Sequence, residues 1–296
     1  MEITSVAINE KKEVISDYRC FFCFARAFER LIEKEDLTPE EKKCFASDMF
    51  GLFNEVKHDF SIPMISRELH VLLNQYSNNP DPYQEAKKQS NDLVLGMYPE
   101  LKAVILQSGN QFETALRLAI AGNIIDYGIG NHFDLQGTID KVLNSEFAVD
   151  DSLELKQAIS EAKTVLYLGD NCGEMVFDKL FIEAIRHPNL IYAVRGAPVI
   201  NDATMDDAKY VGMDMVAEVI SNGYDAPSTI LEHCSAEFLE VFNRADVIIS
   251  KGQGNLEGLL GQTTKNVYFL LMVKCEVIAD ALGVKKGDFV VFKGLK

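Results

Sequence analysis

A helical first half followed by an α/β half on a largely parallel sheet is the fold class this sequence predicts. Three observations predict it. From Cys20 to Ile120 apolar residues recur three and four apart, which is the helical period. After residue 150, short continuous apolar runs alternate with amphipathic stretches, as expected of strands buried on both faces under helices. And 296 residues exceed the roughly 250 over which a single core grows, so two domains are expected, 1–150 and 151–296.

The elements follow in order. Cys20, Cys23, Phe24, Ala27, Phe28 and Leu31 make one apolar helical face. Thr38 before Pro39, Glu40 and Glu41 is a helix start: a cap, a proline in the first turn, then acids favoured by the dipole. Ser77 to Pro82 is rich in Asn, Pro and Asp and reads as a loop. Leu93 to Ala121 is helical through Leu101, Ile105, Phe112, Leu116 and Ile120. Gly122-Asn123-Ile124-Ile125-Asp126-Tyr127-Gly128 closes that stretch, either as a glycine C-cap or as a helical contribution to a shared cleft. Strands are expected at Thr164–Leu168, Leu190–Val194, Met215–Ile220, Val247–Ser250, Val267–Leu271 and Phe289–Phe292. Helices are expected at Met175–Arg186 and Ala236–Asn243.

Charge and composition narrow the function. There are 29 Lys and Arg against 45 Asp and Glu, a formal net charge of −16. Such a field repels nucleic-acid backbones and anionic membrane surfaces, so neither is an expected partner. No apolar run reaches the roughly 18 residues of a membrane helix, and Met1 to Lys12 has no apolar signal-peptide core. Six cysteines are too sparse for a disulfide scaffold, which points to reduced thiols in a cytoplasm. Nothing in the pattern speaks to oligomeric state.

Four segments carry chemistry. Leu168-Gly169-Asp170-Asn171-Cys172-Gly173-Glu174 leaves a strand and opens a helix. Ligands of open α/β sheets bind at that edge, and Asp170 and Asn171 offer the hard oxygens that Mg²⁺, Mn²⁺ or Ca²⁺ prefer. The same residues also suit an ordinary turn. Arg195 to Thr204 again follows a strand, and Asp202 would bring a second carboxylate to the edge, while Thr204 with Asp206 and Asp207 reads as a capped helix start. Ser250-Lys251-Gly252-Gln253-Gly254-Asn255-Leu256-Glu257 joins a strand end, two glycines and a lysine, a plausible phosphate cradle that is not a P-loop. Lys274, past the next strand, is a second cation near that edge. Cys20-Phe21-Phe22-Cys23 is a lone C-x-x-C in helical sequence, so buried core thiols compete with a soft-metal site. The five histidines show no ligand spacing, and there is no G-x-S-x-G elbow.

CFFC, DPYQEAKKQSN, AGNIIDYG, YLGDNCGEMVFD, VRGAPVINDAT, SKGQGNLEGL and LLMVKCEVIADALGVKKGDFV, in that order across most of the chain, resemble the metal-dependent damage-control phosphatases, once catalogued as domain-of-unknown-function family 89. The early cysteine pair resembles the subgroup with an N-terminal C-x-x-C. The resemblance implies an all-helical N-terminal domain on a three-layer α/β/α domain with a mostly parallel sheet. It implies one divalent cation (Mg²⁺, Mn²⁺, Co²⁺ or Ni²⁺) on Asp170, Asn171 and Asp202, with Asp170 as ligand or also nucleophile. It implies Lys274 on the substrate phosphate, Asn123 and Asp126 facing the cleft, and Glu174, Lys251 and Asn255 lining the same cavity, with Glu174 among the catalytic groups. Cys172 departs from the family by setting a sulfur beside the hard donors. The implied activity is hydrolysis of small phosphomonoesters: damaged or excess phosphometabolites such as sugar phosphates or phosphopantetheine-like compounds. The alternatives are a carboxylate methyltransferase, a label one branch of the family has carried, and a non-enzymatic metal- or metabolite-binding protein with a second, soft-metal site at Cys20 and Cys23. The first would need a nucleoside-binding loop, and no G-x-G-x-x-G is present.

Overall fold

The structure, a computed structural model, describes residues 14, 16–56, 61–122 and 135–294. Helices come first: α1 (Tyr18–Ile32), α2 (Pro39–Val56), α3 (Ile62–Ser77), α4 (Gln84–Gln107), α5 (Gln111–Ala121) and α6 (Leu135–Asn144). Alternation follows: β1 (Val149–Asp150), α7 (Ser152–Glu161), β2 (Val165–Leu168), α8 (Glu174–Ile185), β3 (Leu190–Val194), α9 (Met205–Tyr210), β4 (Glu218–Ser221), α10 (Ala236–Arg244), β5 (Val247–Lys251), α11 (Gly252–Leu259), β6 (Val267–Met272), α12 (Glu276–Leu282) and β7 (Phe289–Lys293). The seven strands form one sheet in the order β1-β7-β6-β5-β2-β3-β4. Every pairing is parallel except β6 with β7.

The period of two in the strands fills both faces of the sheet. Val165 and Tyr167 of β2 face α4–α9, while Leu166 and Leu168 face α10–α12. The chain runs outward from β2 to β3 and β4, then crosses back to β5 and β6. The switch point therefore lies between β2 and β5, where a crevice opens at the carboxyl ends of the strands. Composition changes at residue 150, but the core divides earlier. Helices α4–α6 share one apolar core with the sheet. Only α1–α3 build their own, around Phe28, Phe45, Leu69 and Leu73, and it reaches Val277 and Ala281 of α12.

Local sequence explains the boundaries. Thr204 begins α9 in the expected capping box: its backbone N–H and its hydroxyl donate to Asp207 Oδ2 at 3.0 and 2.6 Å. One strand departs from expectation. Met213–Met215 is a 3₁₀ turn after Gly212, which sits at φ 67°, so β4 starts only at Glu218. Leu93 to Ala121 is two helices rather than one, because Asn110 caps α5 by accepting from Glu113 N.

The α1–α3 core contains a buried histidine with a pH consequence. His70 lies 4.8 Å from the Phe28 ring, and its Nδ1 is 2.7 Å from Ser66 O. Nδ1 therefore carries the proton, and Nε2 has no partner among the described residues. A second proton there would be buried unpaired, and burial lowers the pKa to about 4, against the bond to Ser66, which raises it. Because the folded value lies below the unfolded one, the unfolded chain binds the extra proton first. Stability then falls as pH drops below about 6.5 and the loss levels off near 4. This residue costs about 2 kcal/mol at pH 5 relative to neutral pH. His70→Gln flattens that limb of a melting-temperature profile; an unchanged slope refutes the assignment.

Candidate active site

The site forms where β2, β3, β5 and β6 end. Gly169-Asp170-Asn171 leaves β2 and Val199–Asp202 belongs to the loop after β3. The two segments are laced together by an Asn171–Asp202 bridge, by Cys172 N donating to Asn201 O at 2.9 Å and by Ala203 N donating to Asp170 O at 2.8 Å. Ile200 holds φ 46°, a left-handed backbone that β-branched residues avoid, just before Asn201 and Asp202. Two glycines bring backbone close. A Cβ on Gly169 would meet the Tyr192 hydroxyl, and one on Gly252, at φ 78°, would fall on Asp170 Oδ2. Glycine stands in the KGQGN segment because Asp170 is packed against it.

Asp170, Asn171 and Asp202 are all buried and open on a cavity of about 550 Å³ that Lys274 also lines. Arg195, a residue the sequence reading passed over, ties them together. It donates from Nε to Asp202 Oδ2 at 2.6 Å, from Nη2 to Asp170 Oδ1 at 3.3 Å, and from Nη1 to Asn255 Oδ1 at 3.0 Å. Asn171 Nδ2 donates to Asp170 Oδ2 at 2.9 Å and Glu174 Oε2 at 3.3 Å, and among the described residues no hydrogen bond engages its Oδ1. The Asp170 carboxyl is pushed well above the usual range by burial, then by the charges of Asp202 and Glu174, with Arg195 and Lys274 opposing.

Three expected cavity residues lie elsewhere. Lys251 is fully buried beneath the site, with Nζ 2.5 Å from Glu174 Oε1, 2.6 Å from Asp178 Oδ1 and 2.9 Å from Ala119 O. Burial works against its ammonium, but Asp178 and Glu174 outweigh that and raise its pKa. Asn255 is also fully buried and braces two strand ends, donating to Gly169 O and Lys251 O at 3.1 and 2.8 Å. Glu174 bonds Lys251 and Asn171 from below and is fully buried. The physical reason is common to all three: the strand end and the first helical turn that carry them point under the crevice, not into it. Asp178 was missed, although it lies four residues after Glu174 on the same helix face. It accepts from Tyr167 and Tyr192 hydroxyls at 2.7 and 3.0 Å, and burial lifts its carboxyl to about 6.

Asn123 and Asp126 lie outside the described residues. Cys20 is buried and Cys23 exposed on α1, and both line the outer cavity together with Cys275. Among the described residues no group of three or more His, Cys, Asp or Glu gathers to hold a metal. The Asp170–Asn171–Asp202 set has two carboxylates and an amide. Cys172 is buried, with its Sγ 4.0 Å from Asp202 O, and is not part of the cavity wall.

Two carboxylates, an amide and a lysine lie around a switch-point crevice, the edge at which α/β proteins with open sheets bind their ligands. Comparison identifies the family. The damage-control phosphatase ARMT1-like domain matches residues 16–290, and the chain belongs to that family. It is 34% identical over 281 residues to damage-control phosphatase PH1575 of Pyrococcus horikoshii, covering 93% of this chain and 97% of the relative. It is 32% identical over 233 residues to a damage-control phosphatase of Archaeoglobus fulgidus, covering 76% and 80%. The crystal structure of the Pyrococcus horikoshii DUF89 family protein superposes with a TM-score of 0.87 at 31% identity, covering 96% of this chain and all of that one. This protein is accordingly an enzyme, a phosphatase with the α/β architecture of the family.

Proposed function

We propose that the protein hydrolyses small phosphomonoesters with one divalent cation (Mg²⁺, Mn²⁺, Co²⁺ or Ni²⁺) held by Asp170, Asn171 and Asp202. The reading is carried by one observation: these three donors and Lys274 line a single cavity. The donor set fits a hard cation. Its atoms are carboxylate and amide oxygens, the Asn171 amide group is oriented by its own N–H bonds, and the cluster is short of positive charge. Among the described residues, the carboxylates Asp170, Asp202, Glu174 and Asp178 are met by three cations, Arg195, Lys251 and Lys274. A doubly negative phosphomonoester would deepen that deficit. When bound, a divalent cation supplies Lewis-acid charge at the phosphoryl group.

The chain's own groups do the rest. Lys274 neutralises phosphate oxygens as a point charge. Arg195 fixes the two carboxylates from behind, and Glu174 and Lys251 orient Asn171. Asp170 serves as ligand or also as nucleophile. Damaged or excess phosphometabolites, sugar phosphates and phosphopantetheine-like compounds are the substrate classes this site suits. We place the activity in the 151–296 half and in the cytoplasm. The cysteines are free thiols, and no described helix is long and apolar enough to cross a membrane.

The test is phosphate release from p-nitrophenyl phosphate and sugar phosphates by chelator-treated protein, with each of the four cations returned in turn. Release restored by at least one cation, and absent from Asp202→Ala, is the expected result. Release that survives chelation unchanged would overturn the metal dependence, and none with any cation would overturn the phosphomonoester reading.

A further inference from the structure

Two acids of the cavity wall, Glu257 and Glu276, have no part in the phosphomonoester reading, and Glu257 is the more deeply set. Glu257, on α11, lines the wall on the Lys274 side. Its Oε1 accepts from Gln253 Nε2 at 2.8 Å, and Gln253 is itself held, its Oε1 accepting from Lys274 N at 3.1 Å. Glu257 is therefore oriented through one oxygen, and Oε2 takes no hydrogen bond among the described residues. Burial raises its carboxyl to about 7, against Gln253 and Lys274, which lower it. The groups around it are Lys274 and Cys275 after β6, Cys20 on α1, and Gln253 on its own helix. Helix α3 presents Ile62, Pro63 and Ser66 to the cavity and no charge. Of the cations at the cavity's outer end, Arg19 is paired with Asp17 and Asp280, and Arg26 and Lys286 complete that rim.

Lys274 acts on both Asp170 and Glu257. Lys274 is thus a neighbour of both the donor set and Glu257, and all of them line one cavity. In phosphoryl transfer the attacking and leaving oxygens lie roughly in line, so a flank away from the donor set is where the ester oxygen departs. We propose that Glu257 is the general acid of this phosphatase, giving the Oε2 proton to the departing ester oxygen. The proposal rests on the phosphomonoester reading. Cleavage breaks the bond between phosphorus and the ester oxygen, whose electron pair takes the Glu257 proton and leaves as a neutral alcohol. Water gives phosphorus its oxygen with one proton, and its second proton returns Glu257 to the acid through solvent. A carboxyl poised near neutral pH suits that cycle.

The role has a consequence that a structural glutamate lacks: it matters only when the leaving group is basic. The experiment compares Glu257→Gln with wild type, with the preferred cation present, on a series from alkyl phosphates to p-nitrophenyl phosphate. The expected result is a loss of kcat of about a hundredfold on alkyl esters. That loss is at least tenfold larger than on p-nitrophenyl phosphate, so log kcat falls more steeply with leaving-group basicity. Glu257→Asp, the second variant should Gln disturb folding, shows a smaller loss with the same dependence. Equal losses on every ester, or none, in variants that melt like wild type overturn the role. Wild type that releases phosphate from no ester overturns instead the reading on which it rests.

Discussion

Asp170→Asn loses phosphate release by roughly a thousandfold in kcat/KM while remaining folded, the largest catalytic effect expected of any single change here. The substitution keeps the shape that Gly252 is packed against and leaves oxygen for Arg195 Nη2 to bond. What it removes is one of the two carboxylates of the Asp170–Asn171–Asp202 donor set. Two measurements separate this from general damage. A saturating divalent cation raises the melting temperature of the wild type, since a ligand at about 100 times its Kd adds about 2.7 kcal/mol, and it does nothing for the variant. Asp202→Asn gives the second comparison. If both residues are ligands only, high cation concentration restores both variants in part. If Asp170 is also the nucleophile, it restores Asp202→Asn alone. A variant at position 170 with near-normal turnover would remove this residue from the mechanism altogether.

Most of the fold was legible because strand and helix periods were undiluted. Leu190–Val194 reads as five consecutive apolar residues and is a strand over those same residues, since it lies second from the sheet edge with both faces covered. Met215–Ile220 misled because β4 is the edge strand, only half buried, and a run of apolar residues there need not start a ladder. The division into cores was not legible at all. Helical period says that α4–α6 have an apolar face but not which partner covers it, and the sheet does.

The site divides in the same way. Residue type and position after a strand brought Asp170, Asn171, Asp202 and Lys274 to one cavity. Direction failed at the last residue of a strand, Lys251, and at the first helical residue after one, Glu174. There a one-residue difference in register decides between crevice and core. Arg195 and Glu257 were overlooked for the opposite reason. Each stood inside a segment already noticed for other residues, and only the distances to Asp202 and Gln253 show how each is held at the site.

Lys251 is where sequence and structure give opposite predictions. As a phosphate cradle, Lys251→Met would raise KM and spare the fold. In the structure its ammonium is the counter-charge for two buried carboxylates, Glu174 and Asp178, at 2.5 and 2.6 Å, with both tyrosine hydroxyls already spent on Asp178. Removing one member of a buried ion cluster strands the charges that remain, at a cost of about 3–5 kcal/mol. At roughly 2–4 °C per kcal/mol that lowers the melting temperature by about 10 °C. Any protein that stays folded should show near-normal KM, with kcat reduced because Asn171 loses the fixed Glu174 behind it. Adding Asp178→Asn removes one stranded charge and should recover part of the lost melting temperature without recovering kcat. A variant with normal melting and a raised KM would return Lys251 to the cavity and show that its strand end turns outward.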